Sequence, residues 1–358
     1  MKCLIRQPIR LVWPLLWTAS IFADEIKTLP PPITNDTVKP ADNFTLIVLP
    51  DTQGYADTRH RETQKHWPEI GDQRACFFGQ TEWIKKNHEA RNITLVTHVG
   101  DITQTEHDDE WKIADAAFKT IESHVPYVLC SGNHDMGYSP QLRKTSQSRA
   151  SQFSRYFPPS RFTKNPLYDA HFALEKEGHF REAGKTENYY LFFQASGMDF
   201  LVITLEFKPR DEAIAWANQV AERHPGHRII VLTHGYLTKK GRLSESDGYP
   251  IKGNSGQVIW EKFVSRHANI FLVLSGHAGE SQLTSEGRHG NLVHQIQSDY
   301  WYFDLPRIKA GSGFLRILTF RPGEDRIQVE TYSPVLDEFL TRPSSKFSLP
   351  YAMKKKSG

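Results

Sequence analysis

Five short motifs carry side chains that bind cations or move protons, and each follows a run of apolar residues. They are Asp51-Thr52-Gln53, Gly100-Asp101, Gly132-Asn133-His134-Asp135, Thr233-His234-Gly235 and Gly276-His277-Ala278-Gly279. Asp, Asn and His are donors for hard and borderline divalent metals. A lone Gly-Asp is usually a turn, and a lone histidine at a strand end is usually a structural hydrogen-bonding residue. Five such motifs, each at the end of an apolar run, point instead to one shared metal site.

The runs ahead of the motifs read as buried strands: Phe44–Leu49, Ile93–Val99, Pro126–Cys130, Arg228–Thr233 and Ile270–Leu274. They are short, apolar and rich in β-branched residues. Helical spacing of apolar residues covers Gln80–Ala90, Asp108–Ser123, Ala213–Arg223 and Gln257–His267. Strand and helix alternate, which predicts an α/β sheet with helical crossovers. Sites in such sheets form outside the carboxyl ends of the strands, where all five motifs fall. Tyr189–Phe193 and Phe200–Glu206 read as a hairpin. The tail reads as all-β, with Leu292–Ile296, Phe314–Phe320 and Ile327–Tyr332 as strands. Residues 138–188 read as a short helix and long loops. No composition break divides 44–335, so one domain with two packed sheets is expected there, and 336–358 is read as a C-terminal extension.

A chain of 358 residues with 39% hydrophobic and 12% aromatic content can bury a sizeable core, which excludes global disorder. No apolar run reaches the roughly 18–20 residues of a membrane span. Three cysteines exclude a disulfide scaffold and a multi-cysteine zinc module. The first residues read as a secretory signal peptide, 1–23: Lys2, Arg6 and Arg10, then the apolar stretch Leu11–Phe22, then Ala23 as the expected cleavage point. Residues 24–43 follow as a Pro-rich leader. The expected location is therefore secreted or periplasmic. The three basic residues of the signal equal the formal net charge of +3, so no signal for nucleic acid or anionic membranes remains. Cys130 ends an apolar run and reads as a small buried residue; a disulfide with Cys76 is the alternative.

The order Asp-x-Gln, Gly-Asp, Gly-Asn-His-Asp, His and Gly-His resembles the calcineurin-like metallophosphoesterase superfamily, with Gly132–Asp135 the most specific element. More narrowly, the chain resembles an exported bacterial branch through Asp51-Thr52-Gln53, the helix residues Gln80, Thr81 and Trp83, the Pro126-Tyr127 strand start and Thr331–Pro334. The resemblance implies a four-layer α/β/β/α sandwich of two mixed sheets flanked by helices. It implies metal-dependent hydrolysis of phosphate monoesters or diesters by a metal-activated hydroxide. The alternatives are a nuclease or a lipid or sugar phosphodiesterase on the same site, or an inactive exported metal-binding protein. It further implies that Asp101 bridges two divalent ions drawn from Mn, Mg, Zn, Fe or Ca. Asn133, His234 and His277 complete one centre, and Asp51 and Gln53 belong to the other. His134 acts as general acid, and Asp135 orients it through a carboxylate–imidazole hydrogen bond.

Two departures stand out. The family pattern has histidines at the positions of Gln53 and Gly279. One centre is therefore complete, and the other is oxygen-rich and weak, suited to Mg²⁺, Mn²⁺ or Ca²⁺; a mononuclear enzyme is the alternative. Glu280 or His294 is a candidate to fill the gap. His98 is expected to be structural. Arg143, Lys144, Arg149 and Arg155 are read as a solvated helix face, with steering of an anionic substrate as the alternative, and Trp67, Trp301 and Tyr302 as core or pocket wall. No Gly-x-Ser-x-Gly elbow or Gly-x-x-x-x-Gly-Lys loop is present, so serine-hydrolase and P-loop chemistry lack support.

Overall fold

A computed structural model describes residues 42–57, 73–171, 180–246, 248–301 and 312–353. The signal segment, most of the leader, Trp67 and Tyr302 lie outside them. Among the described residues, thirteen strands form two sheets. The first contains β1 (Phe44–Leu49), β2 (Ile93–His98), β3 (Tyr127–Leu129), β10 (Leu315–Arg321), β11 (Arg326–Ser333), β12 (Glu338–Leu340) and β13 (Phe347–Pro350). Its order is β12-β11-β10-β1-β2-β3, with β13 also on β11. The second contains β4 (Tyr189–Ala195), β5 (Met198–Thr204), β6 (Arg228–Leu232), β7 (Ile270–Ser275), β8 (Glu280–Glu286) and β9 (Leu292–Ser298), in the order β4-β5-β6-β7-β9-β8. Both are mixed: β1-β2-β3 and β5-β6-β7-β9 run parallel, and the outer pairs run antiparallel.

The sheets meet through rings. Phe44 on β1 lies 5.6 Å from Phe200 on β5, and Phe320 on β10 lies 6.3 Å from Phe271 on β7. Burying each phenylalanine contributes about 1.5–3 kcal/mol. Helices cover the outer faces. Asp108–Lys119 turns Trp111, Ala114, Ala117 and Phe118 inward, the stripe that 3.6-residue spacing produces. Asp211–Arg223 does the same for the second sheet with Ala213, Ile214, Ala217 and Val220. Arg74–Asn87 begins earlier than its apolar spacing suggests. It docks through Gln80 Nε2, which donates to the Phe314 carbonyl at 2.8 Å, and through Trp83, 5.4 Å from the Tyr332 ring. The two mixed sheets with flanking helices are the expected fold class.

Differences from expectation fall at polar edges. β8 carries Glu280, Gln282, Thr284 and Glu286, with no apolar alternation to mark it. The segment 336–358, read as an extension, supplies β12 and β13 to the first sheet. Cys76 and Cys130 are both buried and are not joined in a disulfide.

The segment from Gln152 is pinned to the loop after β2 by Glu106. The Glu106 carboxylate accepts from the Gln152 backbone N–H, and the Glu106 carbonyl accepts from Gln152 Nε2 at 2.9 Å. Burial pushes the Glu106 carboxyl up to about 8 from its ordinary 4.5. The folded chain thus keeps a proton that the unfolded chain releases near pH 4.5. That contribution to stability is full below pH 4.5 and is lost as pH rises through about 8. Glu106→Gln, neutral throughout, should gain thermal stability relative to the parent between pH 5 and pH 9. Parallel melting-temperature curves for the two proteins would contradict this.

Candidate metal centre

The carboxyl ends of β1, β2 and β3 in one sheet and of β6 and β7 in the other open onto a single cleft of about 1380 Å³. Backbone hydrogen bonds tie neighbouring strand ends. Thr52 N–H donates to the Asp101 carbonyl (2.9 Å), and Gly276 N–H donates to the His234 carbonyl (3.1 Å). Two glycines are required by close approach. A Cβ on Gly132 would lie 2.1 Å from Asp101 Oδ1, and one on Gly276 would lie 2.1 Å from Asp51 Oδ1. Asp101 and His277 adopt positive φ angles of 52° and 82°. This costs on the order of 1–3 kcal/mol each and persists where the surroundings impose it.

Asp101, His234 and His277 present ligand atoms within 4.8 Å of one another. His234 Nδ1 donates to the Val99 carbonyl at 2.7 Å, which leaves Nε2 as the ring nitrogen available to a metal. Nε2 faces Asp101 Oδ2 at 3.2 Å and Asn133 Oδ1 at 3.0 Å. Asn133 is oriented by Nδ2, which donates to the Tyr249 hydroxyl at 2.9 Å. Phe207 packs 5.7 Å from both the His234 and His277 rings. Three acceptors converging in a buried space are what a cation satisfies, so these residues fit the expected metal.

Asp101 Oδ2 also faces Gln53, 3.3 Å from its side-chain amide. The amide fits best with its oxygen accepting from Trp301 Nε1 at 2.9 Å and its nitrogen donating to the Asp101 carbonyl at 3.2 Å. That orientation turns an oxygen toward Asp101 Oδ2, as a second ligand position requires. Asp51 lies beyond, fully buried, accepting from the His277 N–H at 3.0 Å. Burial, then the charges of Asp299 and Asp101, push the Asp51 carboxyl well above the ordinary range. Burial also raises Asp101, but His234, His134 and His277 outweigh it and hold that carboxyl far below the ordinary range.

His98 is structural, as expected. It meets Thr52 Oγ1 at 2.9 Å and accepts from the Gly100 N–H at 3.2 Å, so it fixes two ligand loops from behind. Burial, then His234, drives its pKa down to about 3.

Three expectations are corrected. Asp135 does not orient His134. Its carboxylate accepts from Gly132 N (2.8 Å), Ile102 N (3.1 Å), Thr103 N (2.8 Å) and Thr103 Oγ1 (3.0 Å), so it staples the Asp101 loop to the Asn133 loop. His134 is oriented instead by the Gln104 carbonyl, which accepts from Nδ1 at 2.7 Å. Glu280 and His294 do not fill the gap beside Gly279. Glu280 is held by Ser345 and Arg316, and His294 by Thr284 and the Pro350 carbonyl. Arg143 and Lys144 are not on a solvated helix. They sit at a turn closed by pairing of Ser139 with Lys144 and line the cleft with Lys239, Tyr138, Tyr249 and Trp301. Arg149 binds Glu206 and backbone carbonyls, and Arg155 binds Asp108.

Sequence reasoning missed Asp299, which lines the cleft beside Gln53 and Gly279. It follows β9 directly, so it is a sixth polar residue at the carboxyl end of a parallel strand. Reading that strand as ending at Ile296 hid it.

A family model described as calcineurin-like phosphoesterase matches residues 44–281. A protein of Bacillus subtilis (strain 168) called uncharacterized protein YvnB is 33% identical over 316 residues, 86% of this chain. The chain spans only 21% of that protein's length. A solved structure titled GAP50, the anchor in the inner membrane complex of Plasmodium, aligns over 88% of this chain and 90% of its own, with 12% identity and a TM-score of 0.44. At that level the likeness adds nothing to the assignment.

Asp135→Ala should strip several hydrogen bonds from a buried carboxylate and leave three backbone N–H groups without their acceptor. A loss of about 3 kcal/mol or more in the chelated protein is expected, read by urea unfolding. His134→Asn should leave that unfolding curve in place. Equal stability of both variants would remove the staple role from Asp135.

Proposed function

The chain belongs to the calcineurin-like phosphoesterase family, and from that premise we propose that it hydrolyses phosphate esters outside the cytoplasm with two divalent cations. The observation that carries the reading is the buried convergence of Asp101, Asn133, His234 and His277 at the floor of a cleft that also holds His134. Asp101, Asn133, His234 and His277 would hold one cation, and Asp51, Gln53 and Asp101 the other. When bound, such cations offset the charge of phosphoryl oxygens and make a water molecule more acidic.

The chain's own residues supply the rest. Arg143, Lys144 and Lys239 on the cleft wall attract an anionic ester. Tyr138, Tyr249 and Trp301 offer ring faces to whatever the phosphate carries. His134 keeps Nδ1 on the Gln104 carbonyl, so Nε2 is the ring nitrogen that meets the leaving oxygen and donates its proton there. The cleft, about 1380 Å³, exceeds the roughly 300–1,000 Å³ common for small ligands. Its size favours a diester or a bulky monoester over a small phosphate monoester. Export enters the same proposal through the basic and apolar start of the chain and Ala23.

Hydrolysis of nitrophenyl and alkyl phosphoesters should stop with chelator and return with Mn²⁺. His134→Asn should keep its metal and lose about 10²–10⁴-fold in kcat on alkyl esters. The loss on nitrophenyl esters should be smaller, since that leaving group departs without protonation. Metal binding with no turnover on any ester would instead identify an inactive metal-binding descendant. Equal losses on both esters would take the acid role from His134.

A further inference from the structure

We propose that Asp299 is a ligand of the second cation, so that Asp51, Gln53, Asp101 and Asp299 form an all-oxygen site selective for Mg²⁺, Mn²⁺ or Ca²⁺. The inference deepens the proposed function, resting on it only for the presence of a second cation beside Asp101.

β9 runs parallel to β7 and adjoins it, so Asp299 emerges at the same sheet edge as His277. A reciprocal clasp fixes it. Gly279 N–H donates to Asp299 Oδ2 at 3.0 Å, and Asp299 N–H donates to the Gly279 carbonyl at 3.0 Å. The residue is 6% exposed, and its other oxygen, Oδ1, is buried and makes no hydrogen bond of ordinary geometry, the Trp301 backbone N–H being the other donor near the carboxylate. A buried carboxylate oxygen left without a donor costs free energy unless a cation meets it. Asp299 also lines the cleft with Gln53, Asp101 and Gly279. The clasp therefore puts a carboxylate beside the backbone position that offers no side chain of its own.

The donor chemistry sets the selectivity. Asp51, Asp101 and Asp299 bring carboxylate oxygens, and Gln53 brings an amide oxygen once its nitrogen donates to the Asp101 carbonyl. Oxygen-only sets suit hard cations, whereas the imidazoles of His234 and His277 suit borderline ones. Glu280 and His294 are engaged elsewhere, so neither competes for this place.

The test is metal titration of the chelated full-length protein, followed by calorimetry and by Mn²⁺ electron paramagnetic resonance. Co²⁺ absorption reports the histidine centre separately. The parent should take up two Mn²⁺. Asp299→Asn should weaken one Mn²⁺ site by at least about 100-fold, the upper end of what losing an outer partner costs, and leave the Co²⁺ spectrum unchanged. Asp299→Ser, with folding checked by circular dichroism, should do the same. Two Mn²⁺ sites of unaltered affinity in either folded variant, or a single Mn²⁺ site in the parent, would overturn the assignment. Phosphoesterase turnover persisting alongside two Mn²⁺ sites of unaltered affinity would leave the proposed function standing. A protein that binds two cations yet turns over no ester would overturn the function and spare the site.

Discussion

The structure turns on one buried carboxylate. Asp101 lies at the junction of the two sheets, with Oδ1 accepting the His134 backbone N–H at 2.8 Å and Oδ2 facing both His234 and Gln53. Its left-handed backbone and the missing side chain at Gly132 let it sit there. Asp51 and Asp299 are buried nearby, and each raises the cost of the others' charge. Acidic groups gathered in so little solvent need positive charge from elsewhere. The fold supplies imidazoles on one side and a handful of N–H donors on the other, which leaves a place for cationic charge among the three carboxylates.

That requirement explains how the surrounding loops divide their work. Side chains that could pass for catalytic groups turn out to hold the carboxylates in place. His98 ties Thr52 to Gly100, so it couples the loop of Asp51 and Gln53 to that of Asp101. Asp135 couples the Asp101 loop to the Asn133 loop. His134, between Asn133 and Asp135, turns its ring to the cleft while its backbone N–H holds Asp101 Oδ1 and its Nδ1 holds the Gln104 carbonyl. Adjacent residues on a tight 3₁₀ turn take different partners, so one four-residue motif carries the proposed ligand, the proposed proton donor and a staple.

The strands and the five motifs were legible because buried parallel strands are continuous apolar runs and their ends are punctuated by glycine and polar residues. The hairpin of β4 and β5 was legible for the same reason. What escaped notice lacked that contrast. β8 is polar along its length, and β12 and β13 are short edge strands. Asp299 follows His294, Gln295, Gln297 and Ser298, all buried polar residues inside β9, so the boundary between strand and site carried no change of composition. The role of Asp135 was misread because chain adjacency to His134 suggested a contact, while the donors that capture it lie about thirty residues earlier, at Ile102 and Thr103. Arg143 and Lys144 reach the cleft through a turn whose path no local spacing encodes.

An acidic ligand at 299 has a consequence for binding. A neutral imidazole in its place would leave the paired cations with one more unit of net positive charge toward an anionic ester. Asp299 removes that unit while strengthening the hold on a hard cation. The cleft wall restores the balance. Arg143, Lys144 and Lys239 add three exposed positive side chains to that wall. Lys239 runs beside Gly279, its Cε 3.9 Å from the place a Cβ on that glycine would take. Exposed charges of this kind are screened by salt more than buried ones. With the second cation held as proposed, Asp299 offers a carboxylate where Gly279 offers no side chain, and the basic residues of the wall supply the positive charge that an anionic ester meets on entry.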